Sequence, residues 1–359
     1  MHIPRHSPLR RALLLSSLGG TLMPALALPP AQLRFPRDLG SHPDFRTEWW
    51  YVTGHAQAGA REFGFQVTFF RSRIDATQAM RSGFAAKHLV FAHAAITDVQ
   101  GHKLWHDQRT ARMSGQPSTD LASASEADTA IALRDWSLVR QNGRYLATVR
   151  AADFGMQLQF NETQAMVLQG DQGLSRKGPD AAQASYYYSL PQLQVQGALT
   201  LQGQRHTVTG TAWLDHEWSQ ALLDTRAVGW DWIGMNLSDG SALTAYRLRT
   251  ATGDTLWDGG SFRHPRSGLF VFRQGEVVFK PLRHWTSPAT GTRYPVEWRV
   301  QTPADFYTVK AVVDAQELDS RASTGAIYWE GLSRLYDSHD RLVGQGYLEM
   351  TGHGQALRL

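Results

Sequence analysis

The chain has 359 residues, 42% of them hydrophobic, and no cysteine. Missing thiols exclude disulfides, thiol chemistry, cysteine-ligated zinc and lipoprotein acylation, so a packed core must hold the fold. Arg5, Arg10 and Arg11 supply three units of the formal net charge of +4, and no Lys/Arg stripe follows, so a nucleic-acid partner is not expected.

Those arginines precede the short apolar run Ala12–Met23 and the small residues of Ala25-Leu26-Ala27. This predicts a signal peptide over residues 1–27, read by the general or, through Arg10-Arg11, the twin-arginine route. The remainder is expected to begin at Leu28 as a soluble periplasmic or secreted protein with no integral membrane segment.

Beyond the leader the pattern is β. Glu62–Phe70 and His88–Ile96 are short aromatic and β-branched runs. Trp136–Arg140 and Tyr145–Val149 flank Asn142-Gly143, a tight-turn signal. Gln100-Gly101 and Gln274-Gly275 are read the same way. Met156–Phe160, Leu193–Val195 and Leu199–Leu201 alternate strictly with glutamine or threonine, as half-exposed strands do. Ser114–Thr129 reads as a loop with one helical turn. Asp171–Ser185, rich in Gly and Ser, is long enough to form a lid. After the joining segment Gln220–Val228 a fresh set begins with Trp232–Leu237, Asp239-Gly240 and Ala242–Leu248. No helical stripe interrupts the series. The fold expected is all-β, two consecutive antiparallel barrels or sandwiches, with domains over 28–219 and 220–359.

The chemistry concentrates in aromatic blocks that carry ionisable groups: Glu48-Trp49-Trp50-Tyr51, Trp213 to Trp218, Gly229 to Trp232 and Tyr328 to Gly331. Charges beside indoles are costly to bury unless paired or functional, so the blocks predict an aromatic-lined small-molecule cavity. In Asp215-His216-Glu217-Trp218, a strand turns His216 and Trp218 to one side and both acids to the other. His216 and Trp218 are taken as catalytic candidates. Asp231, between Trp230 and Trp232, is the third, its carboxyl expected to be raised into an acid. Candidate ligand contacts are Glu48, Trp49, Trp50, Tyr51, His93, Tyr187, Trp230 and Glu330. Trp50, His216, Trp218 and Asp231 are expected to border one cavity. His102 and His106 flank a hairpin rather than a helix face, so no metal site is expected. No G-x-S-x-G elbow, H-E-x-x-H helix, P-loop or dinucleotide fingerprint occurs.

In this order, the blocks resemble the carotenoid 1,2-hydratase-like family of lipocalin-like proteins, whose exported bacterial members are called predicted secreted hydrolases. The match runs from His42 through Gly54, Phe65–Arg71, His88–Asp98, Tyr187–Ser189, Gly210–Trp218 and Gly229–Gly240 to Tyr328–Gly331. The resemblance implies two lipocalin-like barrels with a ligand cavity near their junction. It implies cofactor-independent hydration of an isoprenoid double bond: an acid protonates the alkene, a tertiary carbocation forms, and water captures it. His216 and Trp218 match the family's H-x-W pair, and Asp231 its second-domain acid. The resemblance also implies an apolar or lipid ligand and, for a non-catalytic carrier, an ABC transporter permease as partner.

Overall fold

The computed structural model describes residues 27–116 and 118–357, so the leader expected over residues 1–27 lies, except for Ala27, outside the described residues. The helical elements among the described residues are two 3-10 turns, Arg37–Leu39 and Asp75–Thr77. No helix there is long and apolar enough to cross a membrane. The rest is strand and turn, and the architecture is all-β.

The strands form two antiparallel sheets. The 13-stranded sheet runs from Lys103–Met113 through His88–Asp98, Arg61–Arg73, Thr47–Ala58, Gln204–Ala221, Ala184–Leu201 and Phe154–Asn161 to Ala122–Ala124. Its two ends approach one another, which curls the sheet into a nearly closed barrel. The 10-stranded sheet runs from Gly268–Phe272 through Thr255–His264, Ala242–Arg249, Gly229–Leu237, Leu342–Met350 and Ala326–Tyr336 to Val278–Thr286. Residues 222–228 join the two sheets.

Turn chemistry sets several registers. Asn142 (φ 52°) and Gly143 (φ 75°) form the two-residue hairpin turn that only positive φ at both positions permits. Asp239-Gly240 instead lies in a four-residue loop, with Gly240 alone at positive φ (85°). At Gln100-Gly101 the left-handed residue is His102 (φ 48°), not the glycine. The Ser114–Thr129 segment holds a short strand, Ala122–Ala124, rather than a helical turn.

Alternation along the long strands builds three apolar clusters. Trp50, Val52, Phe65, Phe69, Trp136 and Trp218 fill the first barrel. Ile233, Met235, Trp298, Trp329 and Leu348 fill the second. Tyr51, Trp213, Trp232, Tyr246, Leu332 and Tyr347 form a third cluster with members from both sheets. That is why Thr47–Ala58 is buried on both faces along most of its length. One face serves its own barrel and the other serves the junction.

Candidate functional site in the junction between the sheets

Cross-strand pairing sets the junction residues in rows. The first sheet presents Thr68–Tyr51–Asp215–Ser189 and, next to it, Phe70–Trp49–Glu217–Tyr187. The second presents Tyr246–Trp232–Glu349–Glu330. A cavity of ≈ 300 Å³ lies among them, walled chiefly by aromatic rings. Leu222 and Leu223 of the joining segment line it too, as does Lys177 from the Asp171–Ser185 segment.

The acids of the cavity fall into two sets. Asp215 accepts hydrogen bonds from Tyr187 Oη (2.8 Å), Trp213 Nε1 (2.7 Å) and Ser189 Oγ (2.5 Å). Burial outweighs these bonds, and with the Glu217 charge it pushes the Asp215 carboxyl up to about 7. Glu217 takes Lys177 Nζ at 3.1 Å and the Ser185 hydroxyl. Lys177 also lies over the Tyr187 and Tyr246 rings, 4.7 and 4.4 Å from their centroids. Although burial works against its charge, the Glu217 carboxylate holds its pKa above the usual value.

Glu330 and Glu349 form the second set, directly opposite each other on neighbouring strands. Burial, then the Glu349 charge, raises Glu330 well above the carboxylate range. Burial pushes Glu349 up to about 7, against the Trp230 indole and with the charges of Asp215 and Glu217. Gln66 Nε2 donates to Glu330 Oε2 at 2.7 Å, while Oε1 has no partner. The Tyr51 hydroxyl stands near Glu330, short of hydrogen-bonding geometry.

His93 bridges the two sheets. Its Nδ1 meets Tyr328 Oη at 2.9 Å and its Nε2 meets Ser323 Oγ at 2.8 Å. Burial lowers its pKa to about 3, so the ring stays neutral.

Each barrel interior holds its own ionic lock. In the first, Glu48 Oε1 receives His42 Nδ1 (2.8 Å) and His216 Nε2 (3.0 Å), and Oε2 receives Arg71 Nε (2.8 Å). Burial alone would raise Glu48; bonds from both imidazoles and the nearby positive charges hold it well below the carboxylate range. Trp50 stacks on His216 (4.6 Å) and Trp218 on His42 (3.8 Å). In the second barrel Asp231 is clamped by Arg247 (2.8 Å), Arg249 (2.9 Å) and His353 (2.7 Å). The acid–arginine pairs occupy matching positions, Glu48 opposite Arg71 and Asp231 opposite Arg247.

The AttH-like family model matches residues 26–353 of this sequence. The chain belongs to the AttH-like family. An AttH protein of Nitrosomonas europaea, known as a crystal structure, is 43% identical over 91% of this chain and 99% of its own, with a TM-score of 0.85. Kievitone hydratase from Nectria haematococca, 11% identical, superposes with a TM-score of 0.70 over 89% of this chain and 93% of its own. CghA, solved with Sch210972, is 12% identical and superposes at 0.54 over 87% and 89%. At such identities the last two share the lipocalin-like fold with this AttH-like chain and no more. Among curated proteins, none matches the sequence.

In this AttH-like protein the residues singled out from sequence divide by strand parity. Trp49, Tyr51, His93, Tyr187, Trp230 and Glu330 line the cavity, and Glu48, whose carboxylate is locked inside the first barrel, borders it. Trp50, His216 and Trp218 instead point into the first barrel and Asp231 into the second, so the four do not border one cavity. His216 is fully buried, and burial takes its pKa down to about 4. Asp231 departs from the raised acid expected: burial opposes ionisation, but His353, Arg249 and Arg247 hold it at about 2. Asp215, Glu217, Glu349, Lys177, Trp232, Tyr246 and Tyr328 also line it. The first two were visible as the opposite face of the His216 block. Glu349 and Lys177 stand alone among ordinary neighbours and gave no signal.

The imidazoles of His42 and His216 and the Glu48 carboxylate bring three donor atoms within 4.8 Å of one another, all buried. Arg71 and both rings already satisfy Glu48, so the trio is complete as a hydrogen-bonded set.

The raised carboxyls have a measurable consequence. Glu349 ionises near pH 4.5 when exposed and near 7 in the fold. Between those values the unfolded chain gives up its proton first, so Glu349 costs stability progressively as pH rises and levels off above 7. Glu349→Gln should therefore gain about 1–3 kcal/mol over the unsubstituted protein between pH 4 and 8. His93 and His216, lowered to about 3 and 4, act in the opposite direction in both proteins and cancel in the comparison. Urea melts at a series of pH values measure the difference, and a constant offset would contradict the assignment.

Proposed function

We propose that this is an exported protein that binds an apolar small molecule, isoprenoid- or lipid-like, in the junction cavity and acts on it by cofactor-independent proton transfer. The observation that carries the reading is Asp215. It is a buried carboxyl titrating near neutrality, bonded to the Tyr187 hydroxyl inside an aromatic cavity. On protonation Asp215 turns from acceptor to donor toward Tyr187 Oη, whose own proton then reaches a ligand double bond. The carbocation that forms faces indole and phenol rings and Glu217, the partner of Lys177. Water adds to it, and its surplus proton returns to Asp215, so the sum is alkene plus water giving an alcohol. The fold shared with a kievitone hydratase supports hydration as the reaction class.

A carrier reading rests on a different observation: three donors already occupy Asp215, an arrangement suited to holding a ligand without turning it over. In that form the protein would pass its ligand to an ABC-type export system.

Native mass spectrometry of protein recovered from the periplasmic fraction tests the reading. A bound apolar molecule is expected, released when Leu248→Trp fills the cavity, and the chain mass should correspond to a start at Leu28. No bound or extractable molecule, with Leu248→Trp indistinguishable from the unsubstituted protein, would remove the cavity from consideration.

A further inference from the structure

Resting on the reading of this cavity as the ligand site, we propose that its Glu330–Glu349 end binds the positive charge of an apolar ammonium compound. The first observation is the pair itself. Like charges directly opposite on neighbouring strands are destabilising, and here both sit deep between two sheets. The cations of the cavity are committed elsewhere: Lys177 to Glu217 and Arg71 to Glu48. Arg334 goes to Glu62, and Arg247 and Arg249 to Asp231. Among the described residues neither Glu330 nor Glu349 makes an ion pair.

The second observation concerns unpartnered polar atoms beside the pair. The Tyr51 hydroxyl, on a side chain 94% buried by its 6% exposure, lines the cavity with no hydrogen-bond partner, and so does Glu330 Oε1. Buried polar atoms are paired in the great majority of cases, so two orphans facing one space point to a ligand group that completes them. The third is the wall. Trp230, Trp232 and Tyr328 border the same cavity as the pair, and aromatic faces with carboxylates are how proteins hold alkylated ammonium groups. Hydrocarbon extending from the nitrogen would lie against Leu248, Phe70 and Phe91.

A cation seated here draws both carboxyls into their ionised forms, so binding releases protons. The groups facing the pair are Tyr51 and Gln66 from the first two strands, Asp215 and Glu217 from Gln204–Ala221, and Trp230. Tyr328 and Tyr347 face it from the pair's own strands. Asp215, pushed up to about 7 by burial, also favours a cation once ionised.

Isothermal titration of the full chain with octyltrimethylammonium, octanol and octanoate tests the proposal. At pH 8 the ammonium should bind at least tenfold tighter than octanol, with octanoate weakest. The advantage should shrink below pH 6, and buffers of different ionisation enthalpy should report proton release. Glu330→Gln with Glu349→Gln should abolish the preference while octanol still binds; Glu330→Gln alone, checked by circular dichroism, serves if the double variant does not fold. Octanol binding as tightly as the ammonium at pH 8 overturns this proposal and leaves the cavity reading intact. A preference surviving in a folded variant also overturns it. Failure of all three probes to bind overturns both.

Discussion

Replacing Arg71 by methionine should cost about 3–5 kcal/mol of stability, the largest loss expected from a single substitution in this chain. Both Arg71 and Glu48 have side chains with no solvent exposure. Methionine fills much the same volume but leaves a carboxylate inside the barrel without its counter-charge. Arg71 also donates to the carbonyls of His42 (2.6 Å) and Phe45 (3.1 Å), which fastens the entry segment onto the barrel. The loss therefore combines a stranded charge with unpaired backbone. Glu48→Gln combined with Arg71→Met should recover part of it, because a neutral amide tolerates burial better than a lone carboxylate. Urea denaturation of the three proteins reads the effect, and equal midpoints for Arg71→Met and the parent would refute the lock.

Asp215→Asn should lower turnover of the natural substrate about a hundredfold or more while the fold persists, given the usual contribution of a positioned proton donor. The amide keeps the side-chain shape and can still accept from Trp213 and Ser189. It cannot take up and return a proton near neutral pH. Binding should change little, so the defect belongs in kcat rather than KM. Product formation and ligand affinity measured side by side decide the matter. Loss of both together would mean that Asp215 builds the cavity rather than acts in it. Unchanged chemistry would assign the proton transfer elsewhere.

The fold was legible because alternation and turn residues are local signals. Asn142-Gly143 fixes its hairpin within four residues, and the glutamines of Met156–Phe160 mark the exposed face of that strand. The site was only partly legible, for a physical reason. Along most of Thr47–Ala58 and over Ala212–Ser219 both faces are buried, so hydrophobicity cannot distinguish the barrel interior from the junction. The block from Trp213 to Trp218 announced both faces at once. His216 and Trp218 carried the more suggestive chemistry, yet the junction belongs to Asp215 and Glu217. Asp231 misled in the same way: the indoles flanking it face the cavity, and it does not. Glu330 was readable because its aromatic neighbours advertised it, whereas its partner Glu349 sits in Tyr347-Leu348-Glu349-Met350 without any such cue.

The division of each central strand between two faces bears on how such proteins diversify. On Thr47–Ala58, Glu48 and Trp50 pack inside the barrel while Trp49 and Tyr51 face the cavity. Adjacent letters of the sequence thus answer to different selective demands. Substitutions at the cavity-facing positions can accumulate without loosening either lock, and the barrels can be repacked without redrawing the cavity. A scaffold built this way can reshape its cavity by changing every second residue on a few strands. Kievitone hydratase and CghA, at 11% and 12% identity, carry the same lipocalin-like frame on very different sequences.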